Sequence, residues 1–382
     1  MNKVAIIGAG FSGVTIANIL ANNGFIIDLY ESRKHIAGNC YTERDDKVNI
    51  LVHKYGPHIF HTDDNEVWNF VNNFGKFKPF INRVKTSFNG SIYSLPINLH
   101  TINQFFHKQF NPAEAKKFIS SMSDKSIINP VSFEEQALKF VGKDLYEAFF
   151  SGYTEKQWGC KPSDLPASIL KRLPVRFDYN DNYFSHRHQG IPENGYTEIV
   201  KNLLDHKNIN VALNQSVSKN QLKGYVHIFN SGCIDEWLDY RFGILGYRTL
   251  NFEEEHHDGD YQGCAVMNYP ERNIPYTRIS EHKHFSPWEK HDKTIIYKEY
   301  SKDFEVGDIP YYPIRLVNEK VLLKQYVDTA LQEENISFIG RLGTYRYLDM
   351  DVTIREAIDV ANSFLRFNKE NKKIPVFFNN PL

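Results

Sequence analysis

Between residues 4 and 31 the chain is committed to one supersecondary unit. Val4–Ile7 is a short β-branched, apolar run, and Gly8-Ala9-Gly10-Phe11-Ser12-Gly13 follows at once. Val14–Ala21 then places Ile16, Ile19 and Leu20 on one helical face. Asn22-Asn23-Gly24 ends that helix, with glycine at the position that takes a left-handed turn. A second strand is predicted from Phe25 to Tyr30 and closes on Glu31. Strand, glycine turn, helix, strand and acid in this order form a dinucleotide-binding βαβ unit. Gly8 allows the tight turn, Gly10 lets backbone approach a pyrophosphate, and Gly13 lets helix pack on strand. The helix N-terminus offers free N–H groups and partial positive charge to the phosphates. Glu31 is placed to accept hydrogen bonds from a ribose diol, and an acid there disfavours a 2′-phosphate. FAD or NAD is therefore expected over NADP.

Composition removes other classes. At roughly 150 residues per domain, 382 residues suggest two or three domains. Lys plus Arg is 45 against 46 for Asp plus Glu, so the counterion-release drive behind nucleic-acid binding is missing. With 41% hydrophobic residues the chain can build a core. Aromatics reach 14%, enough to fill a core and also line pockets for planar or polar ligands. Cys40, Cys160, Cys233 and Cys264 stand far apart, with no CxxC spacing, and read as free thiols of a reducing compartment. The N-terminus does not resemble a secretory signal, and no run approaches a membrane span. A cytoplasmic address is expected.

Segment 33–62 is loop-rich and carries His53, His58 and His61. His58 and His61 are three apart, but no Cys or carboxylate stands at ligand spacing, so no metal is expected. Segment 98–160 is helical in pattern, with starts at Pro112 and Ser132. From about 208 to 305 short strand-like runs alternate with turns. Ile336–Ile339 then runs into Gly340-Arg341-Leu342-Gly343, and Asp349 or Asp351 fits the cap of a helix from Val352 to Phe367. First and last segments both read as cofactor-binding turns. The expected fold is α/β: a discontinuous Rossmann-like FAD-binding domain with an inserted helical bundle and an antiparallel β-sheet domain. The expected partition gives 1–80, 190–235 and 320–367 to the dinucleotide domain and 98–160 to the helices. Segments 81–97, 161–189 and 236–319 form the sheet and substrate cleft.

Arginine and tyrosine recur in conspicuous contexts at 149–159, 169–177, 179–184, 274–278 and 310–313. Guanidinium groups bring charge and fork geometry to a diphosphate, and tyrosine hydroxyls bring rigid donors. Taken singly, such residues are ordinary surface and core material. Together, GAGFSG, HKYGPHIFHT, GYTEKQWG, LKRLPVRF, NYF, PYTRI, PYYP and GRLGTYRYLDMD occur in an order that resembles the bacterial UDP-galactopyranose mutases, from Val4 to about Ala361. Two departures are Ala37-Gly38-Asn39, where relatives often have Gly-Gly-Asn, and His188, where they usually carry Tyr or Phe.

The resemblance implies an isomerase that interconverts the pyranose and furanose forms of a nucleotide-diphosphate sugar, with UDP-galactose as the default. It implies FAD, active when reduced, with N5 of the flavin attacking the anomeric carbon. Arg172 and Arg278 would hold the diphosphate, and Tyr183, Tyr312 and Tyr347 would hydrogen-bond it. Phe149 and Tyr153 would sandwich the pyrimidine, with Trp158 beside the sugar and Asn82, Asn268 and Glu299 as sugar or uridine neighbours. His61 would lie near the flavin. Gly10, Ser12, Glu31, Gly38, Asn39, Gly340, Arg341, Asp349 and Met350 match FAD contacts, and 165–175 matches a mobile lid. A homodimer and a role in cell-surface polysaccharide (O-antigen, lipopolysaccharide) biosynthesis are implied too. The alternatives are the same chemistry on dTDP-fucopyranose or UDP-N-acetylgalactosamine, an amine-oxidase-like FAD oxidoreductase, and a non-catalytic nucleotide-binding module.

Overall fold

The computed structural model describes residues 2–172, 175–315 and 319–382, except the side chains of Ser168, Lys171 and Arg172. Five parallel strands build the first layer, in the spatial order Ile209–Ala212, Ile26–Tyr30, Lys3–Ile7, His227–Asn230, Ile336–Phe338. Strand Lys3–Ile7 sits at the centre, so its carboxyl end opens where the order reverses, the place where such sheets bind ligands. The helix that follows begins at Phe11 rather than Val14, because Gly10 already has the extended φ of −79° that a helix cap requires. This helix, Phe11–Asn22, packs against the C-terminal helix Met350–Lys369 through a common apolar core that includes Val14, Ile16, Leu20, Ile354, Ala361 and Phe364.

The helical layer starts at Leu99–Phe106. Pro112–Met122 is entered through a capping box between Asn111 and Glu114, and Phe133–Leu145 through one between Ser132 and Glu135. It does not stop at 160: short helical turns at Pro162–Asp164 and Ala167–Arg172 pack on Phe133–Leu145. The second large sheet has seven strands. Its centre is the antiparallel run Val266–Asn268, Arg278–Glu281, Lys293–Asp303 and Tyr247–Asp258. A three-stranded sheet of Phe60–Thr62, His188–Pro192 and Phe77–Pro79 links segments far apart in sequence. Among the described residues no helix is long and apolar enough to cross a membrane.

Buried imidazoles should make this fold sensitive to acid. His227 and His282 are 1% and 0% exposed, and burial pulls each down to about 3. The unfolded chain takes up protons below about pH 6.5 that the folded chain refuses, so stability falls as pH drops through that window. At pH 5 each costs about 2 kcal/mol relative to pH 7.5. Urea unfolding at the two pH values should show His227→Gln losing less stability than the parent by about that amount. An identical pH dependence in the two proteins would count against the buried neutral imidazole.

Candidate active site

At the carboxyl end of Lys3–Ile7, two of the motif glycines are explained by the protein itself. Gly8 has φ +96°, and a Cβ there would lie 2.2 Å from Ser231 Oγ. A Cβ on Gly13 would lie 2.1 Å from the Gly8 carbonyl oxygen, so this glycine permits helix and turn to touch. Gly10 is different. Its backbone suits any residue, and a Cβ would meet nothing within 4 Å among the described residues. The space in front of Gly10 faces the N-terminus of Phe11–Asn22, which has no side-chain cap. A pyrophosphate needs open space beside free N–H groups at a helix N-terminus, so the residues present fit a dinucleotide.

Neighbours close around it. Ala37 N–H donates to the Ala9 carbonyl at 2.9 Å, and a Cβ on Gly38 would sit 3.2 Å from Gly10 Cα. Gly340, φ +67°, passes so near Ser12 that a Cβ would lie 2.5 Å from its Oγ. Gly10, Ser12, Gly38 and Gly340 thus converge from three separate segments. Asn39 Oδ1 accepts from Arg33 Nη2 at 2.9 Å, and Met350 Sδ lies 3.6 Å from Cys40 Sγ. Burial pushes the Cys40 thiol up to about 12, which disfavours the thiolate. The Glu31 carboxylate accepts from the backbone N–H groups of Ala9 (2.8 Å) and Arg33 (2.9 Å), so it holds the turn itself and keeps further acceptor positions for a ribose. Asp349 stands at the cap of the C-terminal helix, but its side chain makes no capping bond.

The second group assembles on the large sheet. Strand register sets Thr86 beside Asn268, Asn268 opposite Arg278, Arg278 opposite Glu299, and Glu299 opposite Phe252. Residues directly paired across strands share a face, so these five form one row. Arg278 Nε lies 3.2 Å from Glu299 Oε1, and its Nη2 donates to the Tyr153 hydroxyl at 2.6 Å. Glu299 is 2% exposed. Burial acts to lower the Arg278 pKa, but Glu299 and the hydroxyls of Tyr153, Tyr312 and Tyr183 overcome it and raise it. Burial also raises Tyr153, Tyr183 and Tyr312, keeping them neutral donors. Tyr312 and Tyr347 stack at 5.7 Å, and the Arg341 guanidinium lies over both rings, 5.6 and 4.9 Å from their centroids. Trp158 is 6.5 Å from Tyr312, centroid to centroid. Arg341 therefore joins the dinucleotide turn to the tyrosine cluster.

A third group flanks these two. His61 stacks on Phe184 at 3.7 Å, and Phe184 meets Tyr183 edge-on at 5.0 Å. Burial lowers the His61 pKa against an opposing pull from Asp349. Asn82 accepts through its carbonyl from Tyr183 N–H at 2.8 Å. Among the described residues Asn82 Oδ1, Asn268 Oδ1 and His61 Nδ1 are buried without hydrogen-bond partners. Such groups are costly unless a ligand or water satisfies them. His58 does not join His61: its Nδ1 bonds the Gly56 carbonyl at 2.8 Å. Phe149 departs from an open aromatic slot. It is 4% exposed and packed among Phe88, Tyr93 and Phe105, following the wide helical turn Tyr146–Ser151. The Arg172 side chain lies outside the described residues.

Sequence reasoning missed residues that hold this geometry. Phe252 shares the sheet row, and a Cβ on Gly56 (φ +91°) would stand 3.5 Å from its ring. Buried Arg248 ties the carbonyl of Gln157 and the hydroxyl of Ser301 together and pairs with Asp303. No local pattern marks either residue. Lys156 did carry a signal, since it stands between Tyr153 and Trp158 in a quoted motif.

The sequence profile of the UDP-galactopyranose mutase family matches residues 148–347, and that of an NAD(P)-binding Rossmann-like domain matches residues 6–74. A probable UDP-galactopyranose mutase of Klebsiella pneumoniae is 55% identical over 375 residues, covering 98% of each chain. A dTDP-fucopyranose mutase of Escherichia coli is also 55% identical, over 377 residues, covering 97% of this chain and all of that one. Among solved structures, a reduced UDP-galactopyranose mutase superposes with a TM-score of 0.76 at 15% identity, covering 96% of each chain. A redesigned putrescine oxidase superposes with a TM-score of 0.59 at 11% identity, covering 95% of this chain and 99% of that one.

Proposed function

The chain belongs to the UDP-galactopyranose mutase family, and from that premise we propose that it interconverts UDP-galactopyranose and UDP-galactofuranose with reduced FAD as cofactor. The observation that carries the reading is the row Asn268–Arg278–Glu299 with Tyr153, Tyr183, Tyr312 and Tyr347, reached from the dinucleotide turn through Arg341. An amine oxidase, whose substrate is a cation, would leave this arginine and its tyrosine hydroxyls without an anionic partner. Gly10, Ser12, Gly38, Gly340 and the N-terminus of Phe11–Asn22 would hold FAD. When bound and reduced, the isoalloxazine supplies the nucleophile for the anomeric carbon.

The chain's own residues then handle charge and position. Arg278 is a permanent cation, fixed by Glu299 and Tyr153, and meets the negative charge that grows on the departing diphosphate. Tyr183, Tyr312 and Tyr347 donate to the same phosphates, and burial keeps the first two neutral. Holding the diphosphate in place keeps it available for return to the sugar once the ring has reclosed. Asn82 and Asn268 offer their unmatched amide oxygens to hydroxyls of the sugar or uridine. The furanose product would feed a glycosyltransferase of cell-surface polysaccharide assembly, and the enzyme would act in the cytoplasm as a homodimer.

Equal identity to the dTDP-fucopyranose mutase favours a second reading, the same chemistry on a 6-deoxy sugar. The two substrates differ by the C6 hydroxyl of the hexose, the 2′-hydroxyl of the ribose and a methyl on the base, features each worth only a few kcal/mol in a pocket. Rates for UDP-galactose, dTDP-fucose and UDP-N-acetylgalactosamine with dithionite-reduced enzyme decide the matter. Fastest turnover of UDP-galactose, with no oxidant consumed, is expected. Faster dTDP-fucose would replace the substrate, and product formation only with oxidant would replace the reaction.

A further inference from the structure

We infer that Lys156 is a positioning residue for the anion site: its ammonium, gathered by four main-chain carbonyls, fixes the 269–276 connection that sets Arg278 against Tyr153. Lys156 Nζ lies 2.5 Å from the Tyr269 carbonyl oxygen, 2.9 Å from Glu271, 2.8 Å from Ile274 and 3.0 Å from Tyr276. An ammonium has three donors, so the four carbonyls share them and surround the charge. These four residues belong to one connection, which leaves the sheet after Asn268 and re-enters it at Arg278. The cation thus gathers the loop whose two ends carry adjacent members of the site row.

Lys156 lies on the helix Gly152–Trp158, which also carries Tyr153 and Trp158. Two further contacts dock this helix on the same connection. A Cβ on Gly152 would fall 2.3 Å from the Pro270 carbonyl oxygen, so helix and loop are in direct backbone contact. Arg272 donates through Nε and Nη2 to the Glu155 carboxylate at 2.6 and 2.9 Å, and through Nη2 to Ser151 Oγ at 2.7 Å. Helix and loop form one unit, and the Arg278–Tyr153 bond is made where they meet. Removing the central cation takes its donors from all four carbonyls, leaving the Glu271 carbonyl with the Ile274 N–H at 3.2 Å, and frees the loop to shift. A sub-ångström shift at Arg278 would weaken its hold on a diphosphate although Lys156 itself touches none.

The inference rests on Arg278 binding the diphosphate, so the test measures both. Calorimetric UDP affinity of the flavin-loaded protein is compared for Lys156→Met, Lys156→Gln, Arg278→Ala and the Lys156→Gln/Arg278→Ala double variant. Gln keeps two of the three N–H donors while removing the charge, which guards against simple loss of folding. Each Lys156 variant should bind UDP about tenfold more weakly, and the double variant no more weakly than Arg278→Ala alone. A residue that only supports the fold would lower the melting temperature and leave UDP affinity in place. UDP affinity within about twofold of the parent in folded Lys156→Gln, or losses that multiply in the double variant, would overturn the inference. So would failure of both Lys156 variants to fold with flavin bound. Unchanged UDP binding in Arg278→Ala would instead remove the diphosphate assignment underneath it.

Discussion

Replacing Arg278 by alanine should lower sugar-ring interconversion about a thousandfold while flavin stays bound. The site loses the cation that compensates the leaving diphosphate, and the dinucleotide turn is untouched. A second effect must be separated from the first. Among the described residues Arg278 is the cation paired with Glu299, which is 2% exposed. Removing it leaves a buried carboxylate without compensation and should cost about 3 kcal/mol of stability. Adding Glu299→Gln to Arg278→Ala removes the stranded charge. The double variant should recover most of the stability and none of the activity. Urea unfolding and conversion of UDP-galactofuranose by the dithionite-reduced enzyme give the two readouts. Activity restored together with stability would mean that Arg278 serves the fold and not the reaction.

Gly10→Val should yield a folded protein without flavin. The backbone at Gly10, φ −79° and ψ 173°, lies in the extended region open to valine, and its Cβ meets no protein atom within 4 Å among the described residues. Stability of the flavin-free chain should change by less than about 0.5 kcal/mol. The new side chain fills the space that phosphates need at the helix N-terminus, so flavin absorbance and the added melting temperature from ligand linkage should both vanish. Gly13→Ala is the contrast. Its Cβ would lie 2.1 Å from the Gly8 carbonyl, so backbone must move, and the flavin-free chain should lose about 1–3 kcal/mol. Equal destabilisation by the two substitutions, or retained flavin in Gly10→Val, would count against a dinucleotide lying on Gly10.

Residues 4–31 reveal their structure because every determinant of a strand–turn–helix lies within one short window. The same holds for the helix starts at Pro112 and Ser132, where cap and first turn are sequence neighbours. The resemblance placed Arg278, Glu299 and the tyrosines in one site, but it could not say how they touch. Sequence alone assigned Glu31 to a ribose, because an acid at that distance from the glycines is a pattern. That its oxygens already serve Ala9 and Arg33 depends on how the loop folds back. Phe149 reads as a pocket residue in a motif and lies in an aromatic core once Phe88, Tyr93 and Phe105 arrive from elsewhere.

By itself, then, the sequence determined the glycine turn, the local elements and the types of group available for binding. Tertiary structure alone decided the order of the strands in the parallel sheet, that Asn268, Arg278 and Glu299 stand in register, and that Lys156 closes on the 269–276 connection. The reason is physical: strand periodicity fixes which face a side chain takes, while its partner across the strands, or across a loop, is set by non-local pairing that no single window contains.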